Sequence, residues 1–391
     1  MTVWFLGVGL VLLFVGLFPF GPYQLSLILA RRFGTACRPL RLAKSAEVPS
    51  CAICMCVYNE ADVIRRKVEE LLALRAVSGP LDILIYVDGA TDDTTEILRA
   101  YQDDVTLVIN EERRGKTHGM NCLVTMTRAS IIVFTDANVQ VDIAALGSLH
   151  RYFADPEVGC VSGQLSYVNE TVSATASVGS SYWRFDEWTK ELETATGSIM
   201  GASGALFAVR GSLVGHRPAD DLIDDLYVPL HILCEGHRVV SAPDVRTYKI
   251  HTTKATDEFR RKIRIACQCM RVHFALWPRL KTLSLWNLYK YFGRRFLRWI
   301  GGYLFLAAGL CFGIAIGTAL GFWIFLTGIL TSTAVIVLGH WLGLSTIGKL
   351  INVVLAFAGN AIGVALALRG ESFVTWELAG SARTSWRQGR H

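Results

Sequence analysis

Charge is scarce in this chain. Of its 391 residues, 18% are Asp, Glu, Lys or Arg and 52% are hydrophobic, too apolar a balance for a wholly soluble protein. The apolar excess sits at the two ends, and the C-terminal stretches carry almost no charge of the kind that marks an ion or solute pathway, which argues against a transporter or channel. The net charge is a modest +6. Many of the Arg and Lys residues flank the apolar ends, as a membrane surface favours. No mixed aromatic and basic pattern for RNA is present, so nucleic acid is not an expected partner. The ten cysteines form no small-scaffold framework. Cys51, Cys54 and Cys56 lie close together, as do Cys267 and Cys269, but no Cys or His pairs have the spacing of a tetrahedral zinc site. Free thiols fit a reducing cytosol. No internal repeat or low-complexity segment occurs.

The length allows one or two domains plus membrane spans. Val3 to Ala30 is almost uncharged, then Arg31, Arg32, Arg38, Arg41 and Lys44 follow. This predicts a transmembrane helix over 1–32. A signal peptide is the alternative, but here the basic residues follow a long apolar run instead of preceding a short one. The positive-inside rule places the N-terminus outside and Ser45 onward in the cytosol. Near the other end, 281–300 mixes Trp286, Tyr289, Tyr291, Phe292 and Trp299 with Lys290, Arg294, Arg295 and Arg298. That mixture suits a helix in the membrane interface; an amphipathic helix packed on the soluble domain is the alternative. Three apolar segments fill 299–368, and a basic tail follows over 369–391. Three full spans would place the tail outside, whereas Arg369, Arg383, Arg387 and Arg390 favour inside. Either one segment is re-entrant or interfacial, or the tail breaks the rule.

Between these flanks, over 45–280, short runs rich in β-branched residues alternate with longer polar–apolar segments. Cys51–Val57, Ile83–Val87, Val105–Ile109 and Ile131–Thr135 read as strands; Ala61–Arg75 and Asp93–Tyr101 read as helices. This is an α/β pattern with a mostly parallel, Rossmann-like sheet. Ligands of such sheets bind beyond the carboxyl ends of the strands, where Tyr58-Asn59-Glu60, Asp88 and Asp136 fall.

Each candidate has a chemical reading and a plainer one. Asp88 can accept hydrogen bonds from a uracil ring or a ribose hydroxyl; it could instead cap the next helix, the role expected of Asp92. Lys116 follows Gly115 at a helix start, a setting that favours phosphate; the plainer reading is a surface lysine. Asp136 can hold a hard divalent cation, Mg2+ or Mn2+, that offsets the charge of a leaving diphosphate. Asn138 offers a neutral oxygen beside it. Asp224 and Asp225 are adjacent like charges, so one carboxyl is expected to titrate high, although an acidic first helical turn is also favoured by the dipole. Arg260, Arg261, Lys262 and Arg264 can hold a diphosphate on a mobile segment or lie against lipid headgroups. Tyr182, Trp183, Phe185 and Trp188 offer faces for a sugar or pack in a core. Gly201 to Arg210 is rich in small residues that permit close approach.

The series Tyr58-Asn59-Glu60, Asp88-Gly-Ala-Thr-Asp92, Arg114-Gly-Lys116 with Asn121, Thr135-Asp-Ala-Asn138, Gly201 to Arg210, Asp224-Asp225 and Gln268-Cys-Met-Arg271 resembles the processive membrane members of glycosyltransferase family 2, which include cellulose, chitin, hyaluronan and poly-N-acetylglucosamine synthases. The resemblance implies a GT-A type domain at the cytosolic face of an inner cell membrane with transmembrane helices. It implies an inverting hexosyltransferase that uses a UDP-sugar and Mg2+ or Mn2+. Tyr58, Glu60, Asp88, Lys116 and Asn121 would bind the nucleotide; Asp136 and Asn138 the metal. Asp225, beside Asp224, would be the general base. Gln268, Arg271, Arg264, Trp183 and Gly204 would serve the diphosphate and the acceptor. The acceptor implied is a growing polysaccharide; the alternative is a single sugar added to a lipid or lipid carrier. The chain departs from the family pattern at Asn138, where a second Asp is usual, and at Val272, where a Trp usually stacks on the acceptor sugar. Those departures favour the alternative, or a non-catalytic relative that only binds sugar nucleotides.

Overall fold

The computed structural model describes residues 1–34, 38–43, 49–168, 174–215, 218–250 and 254–375. Lys44 and the tail arginines Arg383, Arg387 and Arg390 lie outside them. The four expected strands are present as β1 (Cys51–Val57), β2 (Leu81–Asp88), β3 (Thr106–Asn110) and β4 (Ile131–Thr135). They pair in parallel in the order β3-β2-β1-β4. Buried residues lie on both faces of β1, β2 and β4, as in a sheet covered by helices on both sides. Those helices include α3 (Ile64–Ser78), α4 (Thr94–Arg99), α5 (Lys116–Thr125) and α6 (Ala145–Tyr152).

Beyond β4 the sheet is mixed. The edge strand β5 (Gln140–Val141) and the long β6 (Val158–Tyr167) precede α7 (Ala174–Ala195) in the chain, and β7 (Leu206–Arg210) follows it. β7 runs antiparallel to both β4 and β6, because after α7 the chain re-enters the sheet at the end where β4 and β6 leave it, with Leu206 paired to Thr135. α8 (Asp224–Cys234) then leads into β8 (Arg238–Lys249), parallel to β6. The eight-stranded order is β3-β2-β1-β4-β7-β6-β8-β5. Four of the sheet's seven strand pairings are parallel, so the mostly parallel expectation holds within a mixed sheet.

The N-terminal helix is shorter than expected. α1 (Thr2–Leu17) ends in a single 3-10 turn at Phe18–Phe20, and a separate α2 (Pro22–Phe33) begins after Gly21. Pro19 and Pro22 lack the amide hydrogens that would carry one helix through this point. α2 docks on α7, with Gln24 Nε2 donating to Thr189 Oγ1 at 3.2 Å and the Tyr23 hydroxyl donating to Glu193.

After α9 (Ala255–Leu280), α10 (Leu285–Lys290) continues through a π-helical turn, Tyr291–Phe296, into α11 (Leu297–Leu320). The basic residues here do not face lipid headgroups. Arg294 is fully buried and pairs with Asp186 at 2.8 Å and with Glu193; Arg298 reaches Asp186 at 2.6 Å. Lys290 Nζ donates to the carbonyls of Glu193, Thr196 and Ser198 at 2.9, 3.0 and 3.2 Å. The cations of this helix thus face α7 and supply counter-charges that its buried acids require.

Among the described residues four helical stretches are long and apolar enough to cross a membrane: Thr2–Phe20, Leu285–Leu320, Phe322–Trp341 and Ser345–Leu368. The last two are α12 and α13. α1 runs antiparallel to α11, its Gly9 beside Phe312 and its Gly16 beside Phe305. α13 also runs antiparallel to α11, with Asn360 Nδ2 donating to the Arg298 carbonyl at 3.5 Å and the Phe357 ring edge-on to Phe305. Its C-terminal half lies along α9, where Gly363 meets Ile263 and Ala266. α12 stands between α11 and α13 in the chain. Residues 371–373 lie beside α9, where Gln268 Nε2 donates to the Phe373 carbonyl at 2.8 Å.

Replacing Arg294 by Met leaves Asp186 and Glu193 short of a buried counter-charge. A loss of roughly 3–5 kcal/mol is expected, read as a lowered thermal midpoint of the solubilised protein; an unchanged midpoint would show that the network does not tie α7 to the membrane helices.

Candidate active site

A cavity of about 890 Å³ opens at the carboxyl ends of β1, β2 and β4. The turns after these strands build its floor. Asn59 takes a left-handed conformation (φ 50°) after β1, and its Oδ1 accepts the Thr91 amide at 2.8 Å. Asp92 accepts the Thr94 amide at 3.0 Å and the Ala61 amide at 3.2 Å. It thus serves the start of α4, as expected, and also locks the first two turns together.

Asp88, 3% exposed, lines the cavity. Its two oxygens accept the amides of Arg114 and Gly115 at 2.7 and 2.9 Å. It thereby sets the turn that starts α5 and delivers Lys116. Gly89 (φ 64°) is required there, since a Cβ would lie 2.8 Å from the Arg113 nitrogen. Tyr58 and Glu60 also line the cavity, and the Arg113 guanidinium covers the Tyr58 ring at 3.6 Å.

The centre of the cavity holds the acids. Lys116 Nζ lies 3.0 Å from Asp136 Oδ1 and 3.4 Å from Asp224 Oδ2, and Lys249 Nζ lies 3.1 Å from Asp136 Oδ2. Burial opposes ionisation of Asp136, but the two ammonium groups outweigh it and hold the carboxyl below its usual range. Asn138 Oδ1 is buried beside it without a hydrogen-bond partner among the described residues. An oxygen acceptor left open next to a carboxylate suits a hard cation whose other positions are filled by phosphate oxygens and water. No group of three or more Asp, Glu, His or Cys among the described residues could hold a metal without such help.

Asp224 and Asp225 open α8 after Ile223. Asp225 lines the cavity, and burial together with the adjacent Asp224 pushes its pKa up to about 6, while Lys116 and Arg295 oppose the rise. Gly204 faces it: a Cβ there would stand 2.5 Å from Asp225 Oδ2. Small size at residue 204 is therefore what leaves room for the carboxylate.

Of the remaining expected residues, Arg264, Gln268 and Trp183 line the cavity. Arg264 Nη1 donates to Gln268 Oε1 at 3.2 Å, and Gln268 Nε2 donates to the Phe373 carbonyl at 2.8 Å. The basic cluster from Arg260 to Arg264 lies within the helix α9 instead of on a separate mobile segment. Trp183 packs against Val139, Leu165 and Ala205 while also lining the cavity.

Two expectations are corrected. Asn121 lies outside the cavity lining and donates to the Pro218 carbonyl at 2.9 Å, since its place on α5 turns it toward that loop. Arg271 also lies outside, because one further turn of α9 carries it to Asp221 and the carbonyls of Gly370 and Glu371. Lys249, Arg113 and Arg295 were missed. Lys249 belongs to no motif, Arg113 stands one residue before one, and Arg295 was read with the membrane-facing bases.

Acids and cations are thus gathered beyond the carboxyl ends of parallel strands, where open α/β sheets bind their ligands. Residues 52–216 match the family described as Glycosyl transferase family 2. The beta-monoglucosyldiacylglycerol synthase of Synechocystis sp. is 25% identical over 204 residues, 50% of this chain and 43% of that one. An N-acetylglucosaminyltransferase of Rhizobium leguminosarum bv. viciae is 22% identical over 231 residues, 55% of this chain and 54% of its own. The chain thus spans about half the length of these curated relatives. The solved structure of mannosyltransferase PcManGT from Pyrobaculum calidifontis, in complex with GDP-Man and Mn2+, has a TM-score of 0.70 and 21% identity, covering 94% of this chain and 99% of that one. The fold is accordingly of the GT-A type, joined to helices that qualify as membrane spans.

A base with a pKa of about 6 must be ionised to accept a proton, so kcat/KM should rise with pH through that value. Asp224→Asn removes the adjacent negative charge and should move this limb to lower pH. The pH profile of kcat/KM measures both, and a flat profile between about pH 4 and 8 (two units either side of that midpoint) would exclude Asp225 as the titrating group.

Proposed function

We propose that the protein transfers a sugar from a nucleotide donor to an acceptor presented at the membrane, with inversion at the anomeric carbon. The observation that carries this reading is the placement of Asp225 in the same cavity as Asp136, Asn138 and Lys116. Asp136 and Asn138 would hold Mg2+ or Mn2+, which when bound offsets the charge of the departing diphosphate. Tyr58, Glu60 and Asp88 would receive the nucleoside at the ends of β1 and β2. Lys116 would meet the diphosphate. Asp225 takes the proton from the acceptor hydroxyl as that oxygen attacks the sugar, and Gly204 keeps the approach to it open.

The donor proposed is a UDP-sugar; a GDP-sugar is the competing donor, since the mannosyltransferase of like fold holds GDP-Man. The sheet side would face the cytosol, in keeping with Arg31 and Arg32 at the end of α2. A growing polysaccharide remains a possible acceptor class, but Val272 favours single addition to a lipid or lipid carrier: it is fully buried in the core and presents no ring to a sugar. The lipid acceptor of the Synechocystis relative agrees with that preference.

The test incubates membranes containing the protein with a panel of UDP- and GDP-sugars, with and without Mn2+, and measures nucleotide release and product length. One donor should give metal-dependent release and a product extended by a single sugar. Asp225→Asn should lower turnover by at least about 100-fold while donor binding persists, because a general base acts only in the chemical step. Release from no donor would reject the transferase reading, and long products would reject single addition.

A further inference from the structure

We infer that Lys249 guards the cation site: in the free protein Lys249 and Lys116 together occupy Asp136, and a divalent cation enters only together with the nucleoside diphosphate that draws the lysines away. The inference rests on the proposed function in naming the diphosphate as that ligand. Both oxygens of Asp136 are taken, Oδ1 by Lys116 at 3.0 Å and Oδ2 by Lys249 at 3.1 Å. The two lysines come from opposite halves of the sheet. Lys116 opens α5 beneath the β2 turn; Lys249 ends β8, where its backbone pairs with Tyr167 and its carbonyl accepts the Val168 amide at 3.2 Å. The stem of Lys249 is thus fixed while its head reaches into the cavity.

A hard dication sits about 2.0–2.6 Å from its carboxylate oxygen. Such an ion at Asp136 would stand beside two ammonium groups, and charges this close repel strongly in a partly buried cavity. The lysines must therefore withdraw for the cation to be held. Lys116 already has a second partner in Asp224, at 3.4 Å. Among the described residues Lys249 pairs with Asp136 alone, so it needs an incoming anion. A diphosphate supplies that anion and also brings the oxygens that a site built on Asp136 and Asn138 Oδ1 lacks. Lys249 then exchanges one anionic partner for another, so the diphosphate and the cation assist each other's binding.

The experiment titrates Mn2+ into the full-length protein in detergent and follows free Mn2+ by electron paramagnetic resonance. Without nucleotide, Lys249→Met should hold Mn2+ about tenfold more tightly than the unmodified protein, through loss of one repelling charge. Lys249→Arg, which keeps the charge, should match the unmodified protein. Adding UDP or GDP should tighten Mn2+ binding strongly in the unmodified protein and less in Lys249→Met. Lys249→Gln serves should the Met variant not fold. Equal Mn2+ affinity of the folded variants and the unmodified protein would overturn the inference, as would unmodified protein binding Mn2+ equally well with and without nucleotide. Should neither nucleotide bind, the transferase reading fails, and the nucleotide-free comparison still decides the role of Lys249.

Discussion

One ammonium group holds the site together. Lys116 stands between Asp136 at the end of β4 and Asp224 at the start of α8, 3.0 and 3.4 Å away. Without it, carboxylates from two parts of the fold would face each other in a partly buried cavity, where like charges are costly. Its placement follows from Asp88, which accepts two amides of the turn that launches α5. The motif acids therefore depend on one another. Asp88 positions Lys116, Lys116 neutralises Asp136 and Asp224, and Asp225 is left beside them as the carboxyl that titrates high.

The same economy of charge governs the membrane end. The candidate spans are nearly free of charge, yet Lys290, Arg294 and Arg298 lie buried at their base. These cations neutralise Asp186 and Glu193 of α7 or cap its carbonyl groups. Asp186 and Arg295 line the cavity as well, so the membrane helices and the site share a wall. Glycines bring the helices close: Gly363 lets α13 lie against α9, the helix that carries Arg264 and Gln268.

Much of this was legible in the sequence because local rules decide it. The strands Cys51–Val57 and Ile131–Thr135 fall where β-branched runs place them, and turns at their ends carry Tyr58 and Asp136 to the cavity. Less legible were features set by tertiary pairing. β7 enters antiparallel, a direction no periodicity encodes. Pro19 and Pro22 carry the helix break, yet the uniformly apolar run around them hides it. Asn121 and Arg271 matched motif positions, but the turn of their helices directs them to Pro218 and Asp221. Lys249 shows the reverse: nothing around it in the chain marks it, and only the pairing of β8 with β6 brings it to Asp136.

The central claim is that Asp225 activates the acceptor for a single direct displacement on a nucleotide-bound sugar. The most direct measurement is the anomeric configuration of the freshly formed product, read by proton NMR before mutarotation or further transfer. Inversion relative to the donor is the predicted result. Retention would require two displacements or attack from the face of the departing diphosphate, and would contradict the account.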